Sequence, residues 1–368
     1  MTSERRIVVK LGTSTLTAGT PHLSRQRMLE IVQQIARLHQ QGHEMLVVSS
    51  GAQAAGRERL GFPDLGRALP AKQMLAAVGQ GRLMQLYGDL FDIFGIAVGQ
   101  VLLTRDDLSH RTRYLNARDT LLTLIEQRVI PIINENDTVA TEEIRVGDND
   151  NLSALVASVV EADLLVLLTD IAGLYSADPR RDSSAQLIPF VPRIDEATYA
   201  LAGGTGSKLG TGGMLTKIEA AHTASRSGVT TVIASGSESN VLARVVNGDE
   251  IGTRFAPVSS AVESRKRWLL TDKAQGIVRV DAGAAAAITG RSASLLPVGI
   301  TQVEGDFVRG ATVSVRDPNG LEIAHGLSNY GSEELRKLPG MKSSQIADVL
   351  GYSYGDHVIH RNNMVVLA

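Results

Sequence analysis

Six glycines fall within the eleven positions from Gly203 to Gly213, in Gly203-Gly204-Thr205-Gly206-Ser207-Lys208-Leu209-Gly210-Thr211-Gly212-Gly213, and Met214-Leu215-Thr216-Lys217 follows directly. Glycine lets a backbone approach a ligand closely and turn its N–H groups toward an anion. A helix beginning near Met214 would add the positive end of its dipole, which favours a phosphate at that point. Lys217 then lies one turn into the helix, within reach of a terminal phosphate. Taken alone, the segment is equally a flexible glycine linker. It is not a Walker A loop, because no glycine directly precedes Lys217 and no Ser or Thr follows it. A second lysine, Lys10, sits inside the apolar run Val8-Val9-Lys10-Leu11-Gly12. Lysine is rarely buried without a partner, so it either snorkels to water at a strand end or meets an anion. The following Gly12-Thr13-Ser14 favours the anion, and the two lysines could bracket a phosphoryl group in transfer. A third group, Gly147-Asp148-Asn149-Asp150-Asn151, opens a helix. Asp and Asn are good N-caps, but five such residues exceed what one cap needs. Carboxamides and carboxylates can hold an ammonium, and one aspartate can hold two lysine ammoniums apart. Asn134, Asn136 and Asp137 are candidates to join them.

These residues need elements to position them. Ile7 to Leu11 reads as a strand and Leu23 to Gln41 as a helix, with Met28, Ile31, Ile35 and Leu38 on one face. Met45 to Val48 is a second strand, ended by Ser49-Ser50-Gly51. Pro70 to Phe94 is helical, Ile96 to Leu103 strand-like and Tyr114 to Gln127 helical. Val129 to Ile133 is a strand leading into Asn134-Glu135-Asn136-Asp137. Asn151 to Val160 is a helix, and Leu164 to Leu168 an apolar strand ending at Thr169-Asp170. A helix from Met214 to Arg226 and a strand from Val229 to Ala234 complete the series. Apolar strands alternating with helices imply an α/β protein whose mostly parallel sheet is covered on both faces. In such a sheet the carboxyl ends of the strands share an edge where ligands bind. Gly12-Thr13-Ser14, Ser50-Gly51, Asn134 to Asp137 and Thr169-Asp170 would gather there.

The pattern changes near Phe255. Pro257 to Asp272 contains Ser259-Ser260 and the basic run Arg265-Lys266-Arg267, and reads as a linker. Short strand-like pieces follow, Gly276 to Val280 and Thr312 to Arg316, with a turn at Asp317-Pro318-Asn319-Gly320. The expected domains are therefore 1–257, a linker 258–275, and a small β-rich domain 276–368. Two domains suit a chain of 368 residues. The absence of cysteine excludes disulfides, thiolate zinc sites and cysteine nucleophiles. No segment has the apolar core of a signal peptide or the length of a membrane span, so the expectation is a soluble cytoplasmic protein. A net charge of −2 gives no overall field toward nucleic acid or anionic lipid.

Five segments together carry a resemblance. Val9 to Ser14, Val48 to Ala52, Ile133 to Asp137, Val146 to Ala154 and Gly210 to Lys217, in this order and spacing, resemble the glutamate 5-kinase family of the amino-acid kinase fold. The later stretch with Ser294-Leu295-Leu296-Pro297, Gly299 to Gly326 and Ala324-His325-Gly326 resembles a PUA domain. The resemblance implies a three-layer α/β/α amino-acid kinase domain with a mostly parallel central sheet, followed by a PUA-like domain. It implies ATP and Mg²⁺ as cofactors, with the metal ligands unassigned. Lys10 and Lys217 would contact the phosphates and stabilise transfer, and Asp150 would organise the lysines. Thr169, Asp170, Thr211, Gly212, Gly213, Met214, Leu215, Thr216 and Lys217 would contact the nucleotide. Ser50, Asp137 and Asn149 would bind L-glutamate.

The implied reaction is phosphorylation of the glutamate side-chain carboxylate to L-glutamyl 5-phosphate, the first step of proline biosynthesis, with feedback inhibition by proline. The family also suggests a homotetramer and channelling to the enzyme that reduces glutamyl phosphate. A related kinase acting on N-acetylglutamate, aspartate or a nucleoside monophosphate is the near alternative. An RNA-binding protein is the distant one, since PUA domains usually occur there. Residues 276 to 355 carry seven Lys/Arg against eight Asp/Glu, a net of 7 − 8 = −1. That lacks the basic footprint nucleic acid demands. His325, alone in a β-rich region, reads as structural.

Overall fold

The structure, a computed structural model, describes residues 4–66, 68–140, 149–202, 213–258, 273–291 and 293–367. The chain divides into two compact units. One comprises Met1–Leu108 with Thr120–Ser260, the other Ser109–Asp119 with Ala261–Ala368. The segment 258–275 expected as a linker lies almost wholly outside the described residues.

In the first unit eight strands form one sheet. They are β1 (Arg6–Leu11), β2 (Glu44–Ser49), β3 (Val98–Leu103), β4 (Ile130–Glu135), β5 (Leu164–Thr169), β6 (Phe190–Val191), β7 (Thr230–Ser235) and β8 (Thr253–Phe255). Their order is β3-β4-β2-β1-β5-β7-β8-β6. Pairing is parallel from β3 through β7, and β8 runs antiparallel to β7. Central β5, Leu-Leu-Val-Leu-Leu-Thr, is buried along its whole length, as the near-continuous apolar run of a two-sided parallel strand requires.

Alternation along β1 decides where Lys10 points. Ile7, Val9 and Leu11 pack in one core with Met28, Ile31, Val32 and Ile35 of the helix Arg25–Gln40. Val8 and Lys10 must therefore face the other side of the sheet. There the helix Asn149–Val159 packs on β1 and on the helix Met214–Arg226. Both helices start at the carboxyl edge of the strands, and both carry the residues singled out above.

Four local differences from the sequence reading matter for the site. Gly12-Thr13-Ser14 is not only a strand end, since the chain enters a short helix, Thr13–Thr17, at once. The strand β4 continues two residues beyond Ile133, so Asn134 is a buried strand residue and not part of a loop. The helix expected from Asn151 begins at Asn149. A helix at Ala52–Arg59, which the sequence reading did not foresee, follows Gly51. Gly51 has φ +99°, a left-handed conformation that suits glycine, and lets the chain turn sharply after Ser50.

The second unit holds β9 (Gly276–Val280), β10 (Ile300–Glu304), β11 (Thr312–Arg316), β12 (Glu322–Leu327) and β13 (Met364–Val366), in the order β10-β9-β11-β12-β13. Val278, Val280, Ile300, Val313, Val315 and Tyr330 are among its buried core. The expected turn forms: Asp317 Oδ1 accepts from the backbone N–H of Asn319 at 2.9 Å and of Leu321 at 2.8 Å, with Gly320 at φ +83°. His325 Nε2 lies within hydrogen-bond distance of Glu322 Oε1, at 2.8 Å, in keeping with a structural role.

Candidate active site

Lys10 and Lys217 converge on one carboxylate. Lys10 Nζ lies 2.6 Å from Asp150 Oδ1, and Lys217 Nζ lies 3.1 Å from Asp150 Oδ2. All three side chains are buried, Asp150 completely. The sequence places each at the right point. Lys10 is the last residue of β1 on the Asn149–Val159 face. Asp150 lies in the first turn of that helix, and Lys217 in the first turn of the neighbouring helix. Thr216 Oγ1 donates to Asp150 Oδ2 at 2.9 Å and lies 2.8 Å from the Gly213 carbonyl. A helix cap has no need to be fully buried between two ammoniums, so capping does not account for Asp150. Burying charge is costly unless the charges are paired. Here the pairing is between groups from β1 and two different helices.

A chain of amides lies beside this cluster. Asn149 Nδ2, with two N–H groups to donate, lies within hydrogen-bond distance of three acceptors: the Ser49 carbonyl at 2.9 Å, Ser50 Oγ at 3.0 Å and Asn134 Oδ1 at 2.9 Å. Asn134 Oδ1 also accepts from the Glu135 N–H at 2.9 Å, and Asn134 Nδ2 donates to Gln80 Oε1 at 2.8 Å. Ser49 Oγ is within 2.8 Å of the hydroxyl of Tyr87, and burial pushes that phenol well above its usual range. Asp137 follows β4 and accepts from Gln53 Nε2 at 3.3 Å. Burial raises the Asp137 carboxyl above its ordinary range, and the Gln53 hydrogen bond offsets only part of this. A cavity of about 320 Å³ is lined by Gln80, Glu135, Asn136 and Asp137 with Ala76 and Gly81. That volume is at the small end of ligand pockets.

The structure thus groups the expected residues in two sets. Lys10, Asp150, Thr216 and Lys217 form one, and Ser50 with Asn149 the other, joined where Asn149 and Asp150 are adjacent. Asp137 adjoins the second set through the cavity. Thr169 donates to its neighbour Asp170 at 3.0 Å, and exposed Asp170 lies 3.7 Å from Arg180. These two stand at the end of β5, on the same edge. Gly213 precedes the Met214–Arg226 helix, and Met214 and Leu215 are half-buried in its first turn. Thr211 and Gly212, like most of the glycine segment and Gly147-Asp148, lie outside the described residues. Sequence reasoning missed Gln53, Gln80 and Ser49. Gln80 and Gln53 lie on helices of ordinary amphipathic pattern, and nothing in their spacing distinguishes them from solvated glutamines.

Comparison with known proteins identifies the family. Residues 5–235 match the amino acid kinase family, and residues 276–350 match the PUA domain. The chain is 58% identical to the glutamate 5-kinase of Herpetosiphon aurantiacus over 361 residues, 98% of each chain. It is 52% identical to that of Yersinia pestis over 366 residues, covering 100% of both. Among solved structures, a uridylate kinase from Archaeoglobus fulgidus superposes with a TM-score of 0.48 at 18% identity, over 68% of this chain and 99% of that one. With a kinase domain, a PUA domain and full-length similarity on this scale, the chain belongs to the glutamate 5-kinase family of amino acid kinases.

Proposed function

We propose that this protein transfers the γ-phosphoryl group of ATP to the side-chain carboxylate of L-glutamate, giving L-glutamyl 5-phosphate and ADP in the first step of proline biosynthesis. The buried Lys10–Asp150–Lys217 cluster beside Asn149 is the observation that carries the reading. Taken by themselves, the three ionised groups sum to +1. Their convergence suits a site where a phosphoryl group is neutralised while it moves between two oxygens.

The glutamate side chain, with a reference pKa of about 4.3, is already a carboxylate at neutral pH. One of its oxygens attacks the γ-phosphorus, the bond from that phosphorus to the β,γ-bridging oxygen breaks, and ADP leaves with the electron pair. No proton need be removed from the nucleophile, so no general base is required. The task left to the protein is to hold two anions in line and neutralise their charge. Lys10 and Lys217, fixed apart by Asp150, would supply that neutralisation on the donor side. Ser50, Asn149 and Asp137 would hold the acceptor, with Asp137 taking the α-ammonium. Thr169, Asp170 and the stretch from Thr211 to Lys217 would hold the nucleotide.

Magnesium is the metal such chemistry calls for. Among the described residues no three Asp, Glu, His or Cys side chains converge to hold a metal. Both oxygens of Asp150 are already turned to the lysines. Among the described residues the donor set does not form a protein cage, and no metal ligand is assigned. Magnesium commonly enters such sites on substrate phosphates.

The kinase role falls to 1–257 and the PUA-like region to 276–368, with proline as feedback inhibitor. The enzyme would be cytoplasmic and tetrameric and would pass its acyl phosphate directly to the reductase that consumes it. Among the described residues no helix is long and apolar enough to cross a membrane.

The test is a hydroxylamine-trapping assay with ATP and L-glutamate, with and without proline, run beside aspartate and N-acetylglutamate, with acceptor-dependent ADP release measured for each of these and for UMP. Glutamate-dependent hydroxamate, reduced by proline, is expected. Turnover with another acceptor and none with glutamate would overturn the reading.

A further inference from the structure

The amide chain beside the lysine cluster has a fixed polarity, and that polarity has an outer end. The Ser49 carbonyl can only accept, so the Asn149 atom beside it must be the NH₂ group. The Glu135 N–H can only donate, so the Asn134 atom beside it must be Oδ1. Asn134 then presents Nδ2 to Gln80, and the Gln80 atom facing it must be Oε1. Two backbone groups thus settle the orientation of three side-chain amides, with no freedom to flip. Two atoms of this chain have no partner among the described residues, and both are buried: Asn149 Oδ1 and Gln80 Nε2. One is an acceptor and the other a donor. Leaving a buried donor unmatched costs about 1–3 kcal/mol, which a bound ligand could recover.

Gln80 lines the cavity that also touches Glu135 and Asp137. The half-buried Asp137 carboxylate in its wall, when ionised, suits an ammonium and repels a second carboxylate. A free α-amino acid carries both groups on one carbon. Its α-carboxylate therefore needs a donor held in place against that field, and small Ala76, Ala77 and Gly81 leave room around the side chain that can provide one. Taking glutamate as the acceptor proposed above, we infer that Gln80 is a substrate-binding and specificity residue. Its amide is locked by Asn134 so that Nε2 donates to the α-carboxylate of the acceptor.

The test uses two substitutions and two acceptors. Gln80→Glu keeps the shape and the hydrogen bond from Asn134, but replaces the outward donor with an acceptor. Gln80→Met removes the donor and adds no charge. Isoglutamine retains the side-chain carboxylate and the ammonium, but its α-carboxylate is an amide that can itself donate. The wild-type full chain is first shown to form hydroxamate from glutamate. Failure at that stage would sink the choice of acceptor, not the role of Gln80. In Gln80→Glu the ratio of kcat/KM for glutamate to that for isoglutamine is expected to fall at least ~10-fold, the size of one hydrogen bond to a charged group. The loss should appear in KM for glutamate, with KM for ATP held. Gln80→Met is expected to lower the ratio as well, by less. An unchanged ratio in both variants, or a loss shared equally by both acceptors and ATP, would overturn the inference.

Discussion

At the scale of single residues, buried charge separates two roles. Lys217 is held by Asp150 and lies at the start of its helix. If it stabilises charge that develops only during transfer, Lys217→Ala should lower kcat at least ~10²-fold, the scale of one lost charge-stabilising donor. KM for glutamate should change little, and steady-state kinetics with trapped hydroxamate will show which constant moves. Asp137 poses a different question, because its burial opposes ionisation. An acid whose folded pKa is raised gives the fold its full contribution below the unfolded value, near 3.9. That contribution declines as pH rises through the raised folded value, so at neutral pH the ionised carboxylate works against folding. Asp137→Asn is therefore expected to raise Tm of the ligand-free protein at pH 7, and the gain should shrink as pH falls toward 4. Glutamate binding should weaken in the same variant, since an ammonium loses its counter-charge. Thermal melts across that pH range measure the first effect and calorimetric titration with glutamate the second. A variant that binds glutamate as well as the wild type would remove Asp137 from the acceptor site.

At the scale of elements, two helices are brought together by missing side chains. In Ala52–Arg59 and Leu69–Asp92, a Cβ added at Gly79 would lie 1.8 Å from the Ala52 carbonyl oxygen and 2.4 Å from the Gly56 nitrogen. One added at Gly56 would lie 1.9 Å from the Leu75 carbonyl oxygen. Backbone meets backbone at this crossing, and it sets where Gln53 and Gln80 reach the site. Gly79→Ala is expected to lower stability by about 1–3 kcal/mol, as overpacking does, and to raise KM for glutamate more than KM for ATP. Gly88 lies in the same helix with nothing within 4 Å of an added Cβ. Gly88→Ala should raise stability by roughly 0.5–1 kcal/mol through helix propensity alone. Urea melts of the two variants should move in opposite directions, and equal shifts would deny the crossing its role. The same pair shows why some of the site was legible in the sequence and some was not. Strand runs such as Leu164 to Leu168, and glycine or carboxylate residues directly after strands, announce an edge because their order is local. Lys10 was conspicuous as a lysine inside an apolar run. Gln80 and Gln53 were not, since their meaning comes from a helix crossing that unites residues far apart in the chain. Asn134 reads as a loop residue in sequence, because Asn is unusual in a strand and only its amide partners explain its burial there.

At the scale of the whole molecule, each of the two units has a core of its own among the described residues. One gathers Ile7, Val9, Ile35, Val47 and Val166 around the eight-stranded sheet, and the other gathers Val278, Val313, Val315 and Tyr330 around the five-stranded one. The lysine cluster, the amide chain and the cavity all belong to the first unit. A ligand that binds one unit stabilises that unit by mass action, about 2.7 kcal/mol at a hundred times its Kd. For a unit of this size each kcal/mol moves Tm by about 2–4 °C, so a saturating substrate should raise one transition by roughly 5–10 °C. Unfolding is therefore expected to depart from two-state behaviour. Scanning calorimetry should resolve two transitions, with ATP or glutamate raising the one that reports the first unit and leaving the other in place. The assignment can be made within the experiment, because Gly79→Ala should lower the same transition that the substrates raise. A single cooperative transition shifting as a whole would mean that the two cores unfold together, and that binding in the kinase domain is felt by the PUA domain as well.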